Sequence, residues 1–304
     1  MRVIREEISG GERVLALGTF DGVHRGHQAL LAAGKRYAEE QGILLRACSF
    51  DRHPLEILRP ELAPKLLTTP EEKEELMAAY GVDELQLMPF TRETADMAPE
   101  AFLQYLREGG GLRAVVAGWN YSFGRKAGGD AEMLRRDGEK YGYDVLIEQP
   151  VTRKDGTAIS SSLIREELLA GNTEEADDLM GAPYTITGKV VEGKHEGRLL
   201  GFPTANIAYP SKKVLPAYGV YTCLMETTEE MYAGVVNIGR TPTLPSGKVT
   251  VEAHALEGCP DLYGRTVRLT VIGRLRAERK FDTVGELERQ IALDKEKAFE
   301  LFDL

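Results

Sequence analysis

The chain has 304 residues, too many for one average domain of roughly 100–200 residues and a fit for two. Its composition, 42% apolar and 28% charged, is that of an ordinary globular protein and excludes fibrous and disordered classes. A formal net charge of −10 excludes a non-specific nucleic-acid binder, which needs a basic footprint, and leaves nucleotide binding open.

The stretch MRVIREEISG lacks the apolar core of a signal peptide, and no apolar run reaches the roughly 20 residues that span a bilayer. The expectation is a cytoplasmic protein with neither membrane nor nucleic-acid partners. Cys48, Cys223 and Cys259 are scattered, with neither disulfide-framework nor CxxC metal spacing, and read as reduced thiols.

In the first half, short apolar runs predict strands at Val14 to Leu17, Leu44 to Phe50, Glu84 to Leu87, Ala114 to Ala117 and Val145 to Ile147. Helical patterns lie between them, at Gln28 to Glu40, Pro70 to Tyr80, Pro99 to Leu106 and Ala131 to Tyr141. The second helix is well punctuated: Thr69 and Glu72 make a capping box, Pro70 opens the helix and Gly81 follows it. Alternating strands and helices imply an α/β domain, a Rossmann-like parallel sheet covered on both faces.

Two helices follow, from Ser162 to Ala170 and Thr173 to Met180, and the pattern then turns β-rich. Strands are expected at Tyr184 to Val191, Gly219 to Met225, Tyr232 to Asn237, Val249 to Ala255 and Thr266 to Ile272, implying a small antiparallel β-barrel. A long amphipathic C-terminal helix, Val284 to Phe302, places Leu287, Ile291, Lys295 and Ala298 on roughly one face. The boundary falls near Gly181 to Pro183, giving domains 1–182 and 183–304.

Chemistry concentrates where strands end. The string Gly18-Thr19-Phe20-Asp21-Gly22-Val23-His24-Arg25-Gly26-His27 follows the first strand and opens the first helix. Open parallel sheets bind ligands beyond the carboxyl ends of their strands. Two histidines three apart at a helix start can aim ring N–H groups at phosphate oxygens, and the helix N-terminus adds backbone donors. An isolated HxxH is more often incidental, and as a zinc pair it lacks further ligands. Its context strengthens it: three of the five histidines (His24, His27, His53) follow predicted strands. SFDRHP (Ser49 to Pro54), the GWNYSFG run from Gly118 with Asn120, and ISSSLIR (Ile159 to Arg165) lie on the same rim. Ser161, Ser162 and Arg165 make a second phosphate-binding cluster at a helix start. No GxxxxGK[ST] is present, so this is not a P-loop enzyme.

In the second half, Gly197 and Gly201 permit close backbone approach, Pro203 fixes a turn, and Thr204 and Asn206 set two neutral oxygen ligands two residues apart. Such oxygens suit a Mg²⁺ that keeps water and nucleotide phosphates as its other ligands, although a turn with Asn capping fits the residues equally well. Glu252 lies in an apolar run, where a carboxylate is either solvated or poised as a general base. His254, on the same face, reads as packing.

The HxGH after strand one with a late ISSSxxR resembles the nucleotidyltransferase superfamily that shares its fold with class I aminoacyl-tRNA synthetases. GTFDGVHRGH, SFDRHP and GWNYSFG narrow the resemblance to the adenylyltransferase domain of prokaryotic bifunctional riboflavin kinase/FAD synthetases. GRLLGFPTAN, GVYTC, NIGRTPT, VEAH and DLYG resemble the riboflavin kinase half, in family order. The resemblance implies riboflavin plus ATP giving FMN, then FMN plus ATP giving FAD and pyrophosphate, with Mg²⁺ as cofactor. It assigns His24 and His27 to the ATP phosphates, with Ser161, Ser162 and Arg165 opposite. Gly18, Phe20, Asp21, Gly26 and Asn120 would line the nucleotide site. Thr204 and Asn206 go to Mg²⁺–ATP beside Gly197 and Gly201, and Glu252 to the base on the ribityl hydroxyl. Because HxGH does not choose the acceptor, a nucleotidyl transferase with another acceptor is the alternative. A flavin-binding sensor would have lost catalytic groups, yet His24, His27, Arg165, Thr204, Asn206 and Glu252 are all present.

Overall fold

The computed structural model describes residues 1–5, 11–192, 204–240, 249–258 and 261–303. These fall into two compact units, Met1–Ser161 and Ser162–Leu304.

The first unit is a six-stranded sheet in the order β1-β4-β3-β2-β5-β6, every neighbouring pair parallel. Its strands are β1 (Arg2–Ile4), β2 (Arg13–Leu17), β3 (Leu44–Phe50), β4 (Glu84–Met88), β5 (Leu112–Gly118) and β6 (Asp144–Glu148). The helices are α1 (Arg25–Gln41), α2 (Leu55–Leu58), α3 (Pro70–Ala79), α4 (Arg92–Asp96), α5 (Pro99–Arg107) and α6 (Ala131–Tyr141). Strands β2 and β4 are buried along their whole length, as a sheet covered on both faces requires. Alternate residues feed two cores. Val14, Ala16, Leu45 and Leu85 pack with Leu31 of α1 and Met77 of α3, while Leu15, Leu17 and Val115 pack with Phe102 of α5 and Leu134 of α6.

The second unit begins with α7 (Ser161–Ala170) from its second residue and continues with α8 (Thr173–Met180). A closed barrel follows in the order β10-β11-β8-β7-β12-β9, all pairs antiparallel. Its strands are β7 (Thr185–Val191), β8 (Ala205–Ala208), β9 (Gly219–Glu226), β10 (Met231–Arg240), β11 (Val249–Ala255) and β12 (Thr266–Ala277). Helix α9 (Val284–Phe302) sets Ala298 against Val220, Val235 and Leu256, and the buried Asp294 accepts from Arg276 Nε at 2.9 Å.

The expected elements are present, and two strands were not anticipated. β1 has only three residues, and β8 (ANIA) is a short segment paired to β7 and β11. The compact division also falls at the start of α7, earlier than the expected boundary at 182/183. Helix α7 packs with the barrel because Leu168 O accepts from Ala217 N at 2.8 Å, and α8 because Asp177 Oδ1 accepts from Tyr184 N at 2.7 Å.

Candidate functional sites

The first site forms where β2 ends and α1 begins. His24 is the N-cap of α1, and its Nδ1 accepts the backbone N–H of His27 at 3.4 Å. An imidazole that accepts at Nδ1 carries its proton on Nε2, so His24 presents an Nε2–H donor. The rings of His24 and His27 stack, centroids 3.7 Å apart at 18°. Gly26 makes this possible: a Cβ there would lie 3.2 Å from the His24 ring.

His27 is held neutral. Burial, His24 and Lys73 together push its pKa well below the ordinary histidine value, and its Nδ1 is buried without a hydrogen-bond partner among the described residues. Protonating that nitrogen would bury an unpaired charged donor, which keeps the His27 ring neutral.

The loop carrying them is strained. Phe20 and Val23 have φ of +52° and +41°, and for a β-branched residue such a conformation costs on the order of 1–3 kcal/mol. Long-range contacts hold it. Asp21 Oδ1 accepts from Leu67 N at 2.9 Å and Thr68 N at 3.2 Å, and Gly22 N donates to Thr68 Oγ1 at 3.1 Å. Thr19 O accepts from Ser49 Oγ and from Lys73 Nζ, each at 3.0 Å. Ser161 Oγ donates to Asp21 O at 2.9 Å, which places Ser161 beside the histidine loop.

Phe20 is fully buried, its ring packed over Gly18 and edge-on to His27 at 5.2 Å, and the Asp21 carboxylate is turned inward. Both expected nucleotide contacts are therefore supports of the loop. Asn120 lies exposed in the turn after β5, beside the half-exposed Trp119. Ser162, exposed, and Arg165, half-buried, follow on α7.

Sequence reasoning missed the pocket beside this loop, lined by Thr19, Ser49, Asp51, His53, Thr68 and Lys73. A signal existed for Lys73: a cation in the first turn of α3 opposes the helix dipole and calls for another reason to be there. His53, expected on the rim, caps locally, its Nδ1 accepting from Leu55 N at 3.2 Å.

The second site is built from register. Asn206 of β8 and Asn237 of β10 are both paired with Glu252 of β11. Residues directly opposite in an antiparallel pair share a face, with Cβ atoms about 4.5–5.5 Å apart. Their neighbours Val251, Ala253 and Val236 are buried on the opposite, inner face. The outer face also carries Val220 and Val235, which α9 covers, and His254, which is buried there as expected of a packing residue. Thr204 immediately precedes β8 and is half-buried. A hydroxyl, two amides and a carboxylate make an oxygen-rich set that fits a hard cation retaining several other ligands. Gly197, Gly201 and Pro203 lie outside the described residues.

The comparisons identify the family. Residues 7–163 match the FAD synthetase family model, and residues 180–302 match the riboflavin kinase model. The bifunctional riboflavin kinase/FMN adenylyltransferase of Bacillus subtilis is 34% identical, covering 99% of this chain and 95% of its own. That of Escherichia coli is 35% identical over 96% of this chain and 93% of its own. A crystal structure described as a macrolide-efflux protein from Streptococcus pneumoniae superposes with a TM-score of 0.88 at 31% identity, covering 97% of this chain and 98% of that one. Among the described residues here, no helix is long and apolar enough to cross a membrane. With a neutral histidine pair at the end of β2, an acid–amide cluster on the barrel, and near full-length similarity to curated enzymes, this chain belongs to the bifunctional riboflavin kinase/FMN adenylyltransferase family of flavin cofactor biosynthesis.

Proposed function

We propose that the two reactions are divided between residues 1–182, the FMN adenylyltransferase domain, and residues 183–304, the riboflavin kinase domain. In this reading α7 and α8 serve the first domain while packing in the second compact unit. The stacked, neutral His24–His27 pair at the start of α1 carries the assignment of the first reaction.

In adenylyl transfer, the His24 and His27 N–H groups and the N-terminus of α1 stabilise charge gathering on the ATP phosphates as pyrophosphate leaves. Neutral donors suit this role because they need not change protonation during transfer. Ser161, Ser162 and Arg165 bind phosphate oxygens from the start of α7, and Asn120 orients the nucleotide. Gly18 and Gly26 let it approach the backbone.

In the kinase reaction, Glu252 accepts the proton of the riboflavin 5′-hydroxyl as that oxygen attacks the γ-phosphorus of ATP and ADP leaves. Asn206, fixed beside Glu252 by strand register, and Thr204 would hold Mg²⁺, and the family resemblance implies that Gly197 and Gly201 would admit the nucleotide. The cation offsets phosphate charge when bound. The buried thiols of Cys48 and Cys223 and the use of ATP support a cytoplasmic enzyme whose partners are riboflavin, FMN and ATP, with no membrane or nucleic-acid partner.

The test is incubation with riboflavin, ATP and Mg²⁺, with FMN and FAD resolved by chromatography. H27A is expected to stop at FMN, whereas E252Q makes FAD only from supplied FMN. If either change abolished both reactions in folded protein, the division would be wrong.

A further inference from the structure

The histidine loop is held by hydroxyl and backbone hydrogen bonds, by the Asp21 carboxylate and by Lys73. Its Nζ donates to Thr19 O, the carbonyl that also accepts from Ser49 Oγ and immediately precedes the strained Phe20. The capping box of Thr69 and Glu72 fixes the first turn of α3, and Lys73 is the next residue.

We propose that Lys73 is a positioning residue for adenylyl transfer: from α3 it ties down the Thr19 carbonyl and keeps His27 in its neutral, donor form. The proposal rests on the reading of His24 and His27 as the phosphate donors.

Two observations carry it. The first is geometric. Fixing Thr19 O fixes the entry to a turn in which Phe20, Gly22 and Val23 all have positive φ, and the turn ends at the N-cap, His24. Any slack at Thr19 passes directly to the His24–His27 stack. The second is electrostatic. His27 Nδ1 is buried without a partner among the described residues, so the site supplies no acceptor for a second proton. Burial acts most strongly on His27, followed by His24, which stacks on it from the helix start, and by Lys73 of α3, while Asp21 acts on Lys73. Burial lowers the Lys73 pKa, and Asp21 opposes that. A cation there repels a proton from His27 and leaves phosphate binding to neutral N–H donors, while adding attraction for the nucleotide's own charge.

Removing the ammonium lets His27 protonate at higher pH, so the acidic limb of FAD formation moves upward. The experiment measures FAD formation from FMN and ATP against pH, with riboflavin phosphorylation by the same preparation as the internal control. K73M is expected to lower kcat about tenfold, the scale of one charged hydrogen bond, and to move the acidic limb to higher pH. K73Q keeps a donor for Thr19 without the charge, and is expected to show the limb shift with a smaller loss of kcat. K73R retains the charge, and its limb stays at the wild-type position. A limb that does not move in either K73M or K73Q overturns the proposal. H27Q is run alongside: if it kept full FAD formation, the histidine reading itself would fall, whatever Lys73 does.

Discussion

The sheet unit and the barrel hold their candidate site residues on different kinds of backbone. In the sheet unit, His24, His27 and Asn120 occupy loops or helix starts beyond strand ends, and the histidine loop is strained and tied back by Asp21, Ser49, Thr68 and Lys73. In the barrel, Glu252 and Asn206 sit on neighbouring strands, where the ladder alone sets them side by side. A loop site is precise only if separate contacts hold it, whereas a strand-face site inherits its precision from register. The first should therefore be sensitive to residues that never touch substrate, and the second chiefly to its own side chains.

The largest expected effect is on the strand face. E252Q removes the proposed base without altering the ladder, and should lower FMN formation by about 10²–10⁴-fold with FAD formation from FMN unchanged. Paired rate measurements on one preparation check this. H27A should lower FAD formation by about 10²–10³-fold, the usual loss for one donor to transition-state charge, and leave the kinase intact.

Two stability measurements probe the scaffold beneath the loop site. Arg46 and Glu84 form a buried ion pair across β3 and β4, Arg46 Nε to Glu84 Oε2 at 2.9 Å, with Arg46 only 2% exposed. E84Q leaves that guanidinium without a countercharge and should cost about 3–5 kcal/mol in denaturant unfolding of the sheet unit. T69A breaks the α3 capping box and should cost about 1 kcal/mol. Because Thr69 lies between Thr68 and Lys73, both of which bond the histidine loop, T69A should also reduce FAD formation more than FMN formation. Equal reductions would erase the contrast between the two kinds of site.

The smallest effect is a pH dependence. Burial pushes the Asp177 carboxyl up to about 7, against the opposing hydrogen bond from Tyr184 N. A raised carboxyl pKa means the folded state binds the extra proton, so stability from this group falls as pH rises from about 4 toward 7. D177N, which can still accept from Tyr184 N, should flatten the slope of Tm against pH across that window.

Much of this was legible in the sequence because it depends on local signals. The strand–helix alternation, the capping box at Thr69 and the placement of GTFDGVHRGH after a strand follow from short-range periodicity and capping chemistry. Phe20 and Asp21 were legible as part of the motif but not as supports. Whether a loop carboxylate meets a ligand or the Leu67–Thr68 backbone depends on residues more than forty positions away. β8 escaped because ANIA has too little β-branched alternation to announce a strand, and its neighbours β7 and β11 supply the pairing.

The sequence by itself determined the two fold classes, the positions of the GTFDGVHRGH and ISSSLIR motifs and, through GFPTAN and HxGH, the family. Only the tertiary structure decided that Glu252 stands opposite Asn206, that the His24 and His27 rings stack, that α7 packs with the barrel, and that Lys73 reaches Thr19. The physical reason is one of range. Periodicity, capping and turn chemistry act over a few residues, whereas register, burial and the charge around a buried imidazole are properties of segments that meet only in the folded chain.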